Sequence, residues 1–264
     1  MSYSNIRSEG GKKTPVKPNL KKAAVTIIGC LIIVFVFVSL FKTTDDTKAG
    51  VGRVNPSKLR EEVMGNMVAI PGKNFMLGKT EVTFGLWESV TDFRPYEKEG
   101  QRLRDDLIVK YSVYPVSEVN YSDCEFFIRR LNEMTGLQFR LPTEDEWEYA
   151  CRAGSTGKFG NVKGGWEGTI DEMGWYEYNA IAKTQPVAQL KPNAWGLYDM
   201  HGNVCEWCVK CHESIGHDGI ARGGHYLEKS NHCTSDYRRT IPSDMRSTTI
   251  GFRLALTIDP SGSK

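Results

Sequence analysis

Apolar positions along this chain follow three patterns. The first is an unbroken block over residues 23–41, nineteen residues without a charge and rich in Val, Ile, Leu and Phe. At helical rise that length crosses a hydrocarbon core, so the block predicts a transmembrane helix. The second pattern is helical periodicity. From Ser122 onward, apolar positions including Phe126, Phe127, Ile128 and Leu131 recur at helical spacing until Gly136. A second helix is expected from Thr143, which can cap the first turn while Glu146 reaches back to the cap's backbone. Its end is expected near Gly154, a residue suited to a left-handed terminus. The third pattern is short apolar runs bounded by turns. Residues 67–70, followed by Pro71-Gly72, and the runs 81–84 and 252–256 are expected as strands. Between 155 and 250 the chain is mostly loop, rich in Gly, Asn, Ser and Asp. A loop region that long needs internal organisation from bound metal, disulfides or buried Trp. Helices and short strands without βαβ alternation make the fold class α+β.

Charge orients the first pattern. Arg7, Lys12, Lys13, Lys17, Lys21 and Lys22 precede the apolar block, and Lys42, Asp45 and Asp46 follow it. The basic excess on the amino side favours a cytosolic amino terminus and an extracytoplasmic main domain. A cleaved signal peptide is one alternative. A lipoprotein is another, because Ile27-Ile28-Gly29-Cys30 looks like a lipobox that would lipidate Cys30. The strongest apolar run follows Cys30, however, which favours an uncleaved anchor. The expected organisation is a cytosolic basic tail (1–22), an anchor (23–41), a polar linker (42–64) in which residues 51–64 can add a short helix, one domain (65–258) and a short tail (259–264). The formal net charge is +2, with much of the basic excess in the amino-terminal tail. Nothing in that distribution suggests a nucleic-acid surface.

Six cysteines lie outside the apolar block: Cys124, Cys151, Cys205, Cys208, Cys211 and Cys233. An even number in an exported domain permits disulfides, in any of 15 full pairings. The spacing Cys205, Cys208, Cys211, His212 also invites a zinc or iron–sulfur reading, and all five histidines (His201, His212, His217, His225, His232) fall between 201 and 232. Structural zinc sites usually show two separated ligand pairs, which this run lacks. Asn120-Tyr121-Ser122 is a glycosylation sequon if the host is a eukaryote.

Several segments occur in an order that resembles the formylglycine-generating (sulfatase-modifying) enzyme family. They are Met67-Val68-Ala69-Ile70-Pro71-Gly72, Thr80-Glu81-Val82-Thr83, the helix beginning Arg140-Leu141-Pro142-Thr143-Glu144-Asp145-Glu146-Trp147, and residues 193–207 with Gly202-Asn203-Val204-Cys205-Glu206-Trp207. Arg222-Gly223-Gly224 and Gly251-Phe252-Arg253 complete the set. The resemblance covers about residues 65 to 257. It implies a complex C-type-lectin-like fold, here preceded by one transmembrane helix. That fold hosts both oxidases and binding modules, so activity needs a separate argument.

In the oxidase branch of the resembled family, two cysteines with four residues between them hold Cu(I), which activates oxygen to convert a substrate cysteine to formylglycine. Soft sulfur suits that ion. Here Cys233 falls on the second thiol position and remains a candidate catalytic residue, while Glu228 falls on the first. A carboxylate is a poor replacement for a thiolate on Cu(I). Cys205, Cys208 or Cys211 could supply the missing sulfur; the simpler expectation is a structural disulfide between Cys208 and Cys233. The resemblance also implies calcium on the Asp199 position, the carbonyls of Gly202 and Val204, and the Glu206 carboxylate. Oxygen donors of that kind suit Ca²⁺. The alternative is that Asp199 caps a turn and Glu206 pairs with an arginine in the core. Glu144, Glu146 and Glu148 are expected as cap and dipole partners. Trp147, Trp195 and Trp207 are expected as core, and Arg238, Arg239, Arg246 and Arg253 as internal ion-pair partners.

The sequence therefore predicts a membrane-anchored, extracytoplasmic domain of this family, non-catalytic, that binds an unidentified protein or surface ligand through its loops between 205 and 250. The alternative is a copper-dependent formylglycine-generating oxidase acting on a cysteine of sulfatase-type substrates.

Overall fold

Local sequence explains where each helix starts. Asn55 caps helix α1 (Pro56–Gly65), accepting from the backbone N–H of Ser57 and Lys58 just ahead of a proline suited to the first turn. Thr83 caps α2 (Phe84–Val90) through the N–H of Leu86. Helix α3 (Tyr121–Thr135) opens on a capping box of Asn120 and Asp123 and closes on Gly136 at φ 69°. Helix α4 (Glu144–Arg152) opens on the expected box of Thr143 and Glu146; Ala153 takes the left-handed terminus one residue before Gly154. One further turn, α5, spans Ile170–Met173.

The computed structural model describes residues 54–91, 112–209 and 218–258. These belong to one compact unit that starts at Arg53. The anchor expected over 23–41, with Cys30, lies outside the described residues, as do Cys211, His212, His217 and the 259–264 tail. Among the described residues no helix is long and apolar enough to cross a membrane.

Among the described residues, eight short strands form two sheets, making the fold mixed α+β. Strands β1 (Met67–Ala69), β2 (Phe75–Gly78) and β3 (Phe139–Arg140) belong to the first sheet. The second contains β4 (Cys205–Cys208), β5 (Asp218–Arg222), β6 (Arg238–Pro242) and β7 (Ile250–Gly251), and the chain then returns to the first as β8 (Ala255–Thr257). The orders are β1-β2-β8-β3 and β6-β5-β4-β7. All pairings are antiparallel except β4 with β7. The edge strand β3 is closed by a side chain: Asn132 donates to the Phe139 carbonyl at 2.9 Å and accepts the Phe139 N–H at 2.7 Å. An amide there satisfies backbone groups that a lone edge would leave open.

Two expectations change. The run 81–84 is not a strand, because Thr83 caps a helix instead. The run 252–256 is only partly strand: residues 252–254 carry the chain from β7 of the second sheet to β8 of the first. The short helix expected within 51–64 forms as α1, which sets Leu59 and Val63 into the core.

That core is aromatic at its centre. Trp87 stacks on Phe127 at 5.2 Å, and Phe252 meets both edge-on. Trp147 and Trp207 are fully buried, and Trp195 packs at the margin. Their indole N–H groups find acceptors in Glu206 and the Val119 carbonyl respectively, as buried Trp normally requires.

Candidate functional site

The loop before β4 turns through left-handed residues. Asp199 has φ 56° and Asn203 φ 59°. Gly202, at φ 106°, passes so close to Trp175 that a Cβ would lie 2.0 Å from its carbonyl oxygen, so only glycine fits. The tight loop delivers Glu206 on β4 into the interior. Its carboxylate sits in the fork of Arg253, with Nε 2.5 Å from Oε2 and Nη2 2.6 Å from Oε1. The Trp147 indole adds a third hydrogen bond, to Oε2 at 2.7 Å. Arg253 also donates to the carbonyls of Gly78 (2.9 Å) and Tyr198 (3.0 Å). Both partners of this ion pair are essentially without solvent exposure.

Two more carboxylates face the pair. Glu81 and Asp199 are buried, at 1% and 2% exposure. Glu81 Oε1 accepts from Asn203 Nδ2 at 3.1 Å and Asp199 Oδ2 from the Ala188 N–H at 2.7 Å. Glu81 Oε2 and Asp199 Oδ1 meet no other group, and the two carboxyls share a side-chain hydrogen bond. Burial, reinforced by the charges of Asp199 and Glu206, pushes the Glu81 carboxyl well above the usual carboxylate range against the pull of Arg253. Burial likewise raises Asp199 to about 6, opposed by the Ala188 N–H and Arg253.

This arrangement bears on calcium. Buried carboxylate oxygens on neighbouring residues fit a hard divalent cation. Of the expected ligands, Asp199 offers such an oxygen, with Glu81 hydrogen-bonded to its carboxyl. Glu206 does not, because Arg253 and Trp147 already engage both of its oxygens. Asp199 does receive a turn N–H and Glu206 does pair with a core arginine, as the alternative expectation had it. Among the described residues no three of His, Cys, Asp and Glu converge on one centre, so Cys205, Cys208 and the described histidines form no soft-metal cluster there.

The thiol position looks different. The expected Cys208–Cys233 disulfide is not formed: Cys124, Cys151, Cys205, Cys208 and Cys233 are all buried free thiols. The reason is packing. Cys208 lies on β4 among Trp147, Ala150 and Leu197, while Cys233 packs with Ile170, Tyr176 and Phe159. Cys205 belongs to a third cluster and donates to the Thr249 carbonyl at 3.2 Å. Among the described residues, no second cysteine shares the Cys233 cluster. Burial, helped by the charge of Glu228, lifts the Cys233 thiol to about 12, the opposite of an activated thiolate. Gly224, at φ 70°, lies against it: a Cβ there would be 2.7 Å from the sulfur.

Glu228, at the first thiol position, is held by Arg239 at 3.2 Å and faces His225 Nε2 at 3.4 Å. His225 Nδ1 lies 3.3 Å from the Leu227 N–H, and its Nε2 also lies 3.2 Å from Arg239 Nη1. Burial, with Arg239 and His232 adding to it, lowers His225 to about 4, so the ring is neutral near pH 7 and its contact with Glu228 is not an ion pair. On the other side, His201 fixes the backbone of Cys233. Its Nδ1 donates to the Cys233 carbonyl at 2.8 Å, and its Nε2 accepts the Gly160 N–H at 3.0 Å.

The remaining expected residues take structural roles. Arg238 pairs with Glu144, Arg246 with Asp123, and Glu148 with both Arg152 and Arg222. Glu146 caps α4 and accepts both arms of the Arg140 fork. Asn120 of the sequon caps α3 and is 9% exposed, with its side-chain oxygen accepting from Asp123 and Ser122. A groove of about 580 Å³ runs beside α3 and β3, lined by Tyr121, Ile128, Phe139 and Val209 among others; Glu228, Cys233, Asp199 and Glu206 do not line it. Sequence reasoning missed Glu81 as a site residue and reached His201 and His225 only as members of the histidine cluster between 201 and 232. Only the segment Thr80-Glu81-Val82-Thr83 drew attention to Glu81, and as a strand.

Comparison with known proteins agrees with this geometry. The model of the sulfatase-modifying factor enzyme 1-like domain matches residues 48–258. Formylglycine-generating enzyme of Mus musculus is 31% identical over 180 residues, covering 57% of this chain and 46% of that protein. A second mouse protein, inactive C-alpha-formylglycine-generating enzyme 2, is 30% identical over 132 residues, covering 44% and 42% respectively. The chain thus spans about half the length of the curated relatives it matches. Among solved structures, Treponema denticola variable protein 1 superposes with a TM-score of 0.59 over 82% of this chain and 98% of that one, at 24% identity, which is a likeness of fold.

Proposed function

Because the chain belongs to the sulfatase-modifying factor enzyme 1-like domain family, we propose that it is a membrane-anchored, extracytoplasmic member that has lost the formylglycine-forming oxidation and serves as a binding or structural module. The observation that carries this reading is the state of the thiol position. Glu228 stands where a second soft donor is needed and is engaged by Arg239. Cys233 is buried, protonated and in no disulfide. One sulfur cannot hold Cu(I) the way a pair does. A relative whose name marks it as inactive makes such a loss plausible within the family.

The activity test is direct. The purified full chain is incubated with a Cys-x-Pro-x-Arg peptide, copper and oxygen, and the peptide is examined for an aldehyde. None is expected. An aldehyde that disappears in Cys233→Ser would overturn the reading in favour of the oxidase. The anchor over 23–41 is tested separately: the protein should stay with membranes after alkaline carbonate extraction, and release into the supernatant counts against it. The ligand, a protein or another surface molecule, would meet the loops between 205 and 250. Calcium belongs to this proposal too, supported by the buried Asp199 carboxyl; a melting temperature that is the same in EGTA and in calcium would remove it.

A further inference from the structure

We infer that three exposed loops around the Cys233 cluster form a face of the domain that lies against the lipid bilayer holding the anchor. Such docking depends on the anchor of the reading above and adds to it a contact made by the domain itself. Ile170, Tyr176 and Cys233 form one buried cluster, with Phe159 packed against it. Each chain segment that supplies this cluster also puts an apolar side chain into water. Residues 160–168 fold back as a tight hairpin, in which the Val162 N–H donates to the Trp166 carbonyl and the Gly168 N–H to that of Gly160. Trp166 is left 64% exposed. In the next segment Tyr178 touches Tyr176, with ring centroids 5.7 Å apart, yet is 78% exposed, and Ile181 is 80% exposed. The Glu177 N–H donates to the Glu228 carbonyl at 3.0 Å, which joins this segment to the loop of Leu227, also exposed. The three most exposed large apolar side chains among the described residues are therefore gathered around one cluster. Gathered apolar exposure of this kind marks an interaction surface.

Ile181 adds a second argument. It has φ 55°, followed by Ala182 at φ 52°. A β-branched side chain in the left-handed region is strained, and this one buries nothing within the domain to offset the strain. A surface outside the domain supplies the missing burial.

Charge says what that surface is. Lys158, Lys163, Lys183 and Lys229 flank the apolar residues, all exposed and in no ion pair among the described residues. Most acids nearby are engaged inside the domain: Glu167 by the Phe159 N–H, Asp171 by the Tyr176 hydroxyl, Glu172 by Lys191 and Glu228 by Arg239. Glu177 is the exception. Trp, Tyr and aliphatic side chains ringed by free lysines suit a bilayer interface, where rings sit at headgroup level and ammonium groups reach the phosphates. The chain itself brings that bilayer close. Only residues 42–53 separate the apolar block from the first described residue, Val54, a stretch that reaches at most about 40 Å when fully extended. On so short a tether the bilayer is present at high effective concentration, and weak interfacial contacts suffice.

The test reconstitutes the full-length protein into vesicles of phosphatidylcholine and phosphatidylglycerol in equal parts, with and without bromine on the acyl chains, and records tryptophan emission. Residues 23–41 contain no Trp, so quenching by bromine reports on the domain. Quenching is expected in the wild type, and most of it should be lost in Trp166→Phe. Ile181→Asn should reduce it as well while melting no lower than the wild type, because Asn accepts the left-handed backbone that strains Ile. Lys163→Glu combined with Lys183→Glu should weaken quenching more in these vesicles than in phosphatidylcholine alone. Flotation reads the anchor separately. Protein that does not float with the vesicles overturns the anchor, and the docked face falls with it. Protein that floats but shows no bromine quenching of Trp166 keeps the anchor and overturns the docked face. Shielding of Trp166 from acrylamide that grows with protein concentration, without bromine quenching, would overturn the bilayer as occupant in favour of a second copy of the chain.

Discussion

Two carboxylates, Glu206 and Glu228, each meet an arginine, and they differ in almost everything that decides what the contact does. Glu206 and Arg253 are fully buried, joined by two parallel hydrogen bonds, and surrounded by groups that satisfy the rest of the guanidinium. The pair also spans the molecule's two sheets. Glu206 is on β4 of the second, and Arg253 lies just before β8 of the first and reaches the Gly78 carbonyl at the end of β2. Glu228 lies in a loop and meets Arg239 of β6 at a single 3.2 Å contact, with the Arg239 side chain 39% exposed and that of Glu228 12%. The same chemistry is an architectural tie in one place and a filler in the other. Desolvation makes the difference, since a buried charge that loses its partner has nowhere to go.

Four experiments stress this contrast, from the largest expected effect to the smallest. Arg253→Leu should cost about 3–5 kcal/mol by stranding Glu206. Guanidinium chloride unfolding measures it, and a variant as stable as the wild type would erase the distinction. Next is acid. His201 is fully buried, and its folded pKa of about 4, lowered by burial, lies below its ordinary value of 6.5. The unfolded chain therefore binds the proton first, so stability is complete above pH 6.5 and declines as pH falls through 4. The loss attributable to His201 is about 3 kcal/mol. His225 works in the same direction. His201→Gln should flatten the stability profile between pH 6.5 and 4; an unchanged slope would show that this histidine does not govern the Cys233 region. Trp147→Phe keeps the ring packing but leaves Glu206 one donor short, for about 1–3 kcal/mol on the same denaturation curve. Arg239→Ala should shift stability by about 1 kcal/mol, because Arg239 is partly exposed while the carboxylate it leaves, Glu228, is largely buried. A loss comparable with that of Arg253→Leu would mean the Glu228–Arg239 pair is architectural too.

Much of the scaffold could be read directly from the chain. The helix from Tyr121 to Thr135 shows in its apolar spacing, and the helix after Thr143 in its capping box, because both signals operate within a turn or two of backbone. Trp147 and Trp207 were legible as core, and Arg238, Arg239, Arg246 and Arg253 as ion-pair formers, from residue type alone. The partners were not legible. The run 81–84 alternates like a strand, but a threonine cap outweighs that alternation at Thr83. Cys208 and Cys233 invited a disulfide, yet their packing puts them in separate clusters. Glu81 carried no local sign of its environment, since its neighbours Asn203, Asp199 and Arg253 are more than a hundred residues away.

Sequence by itself determined the family, the α+β class, the helix starts and the absence of a second thiol at position 228. Tertiary structure alone decided which acid meets which arginine, which carboxyls share a hydrogen bond, and which sulfurs pack in separate clusters. Caps and periodicity are settled by contacts a few residues apart, whereas burial and charge pairing depend on distant segments arriving at one point.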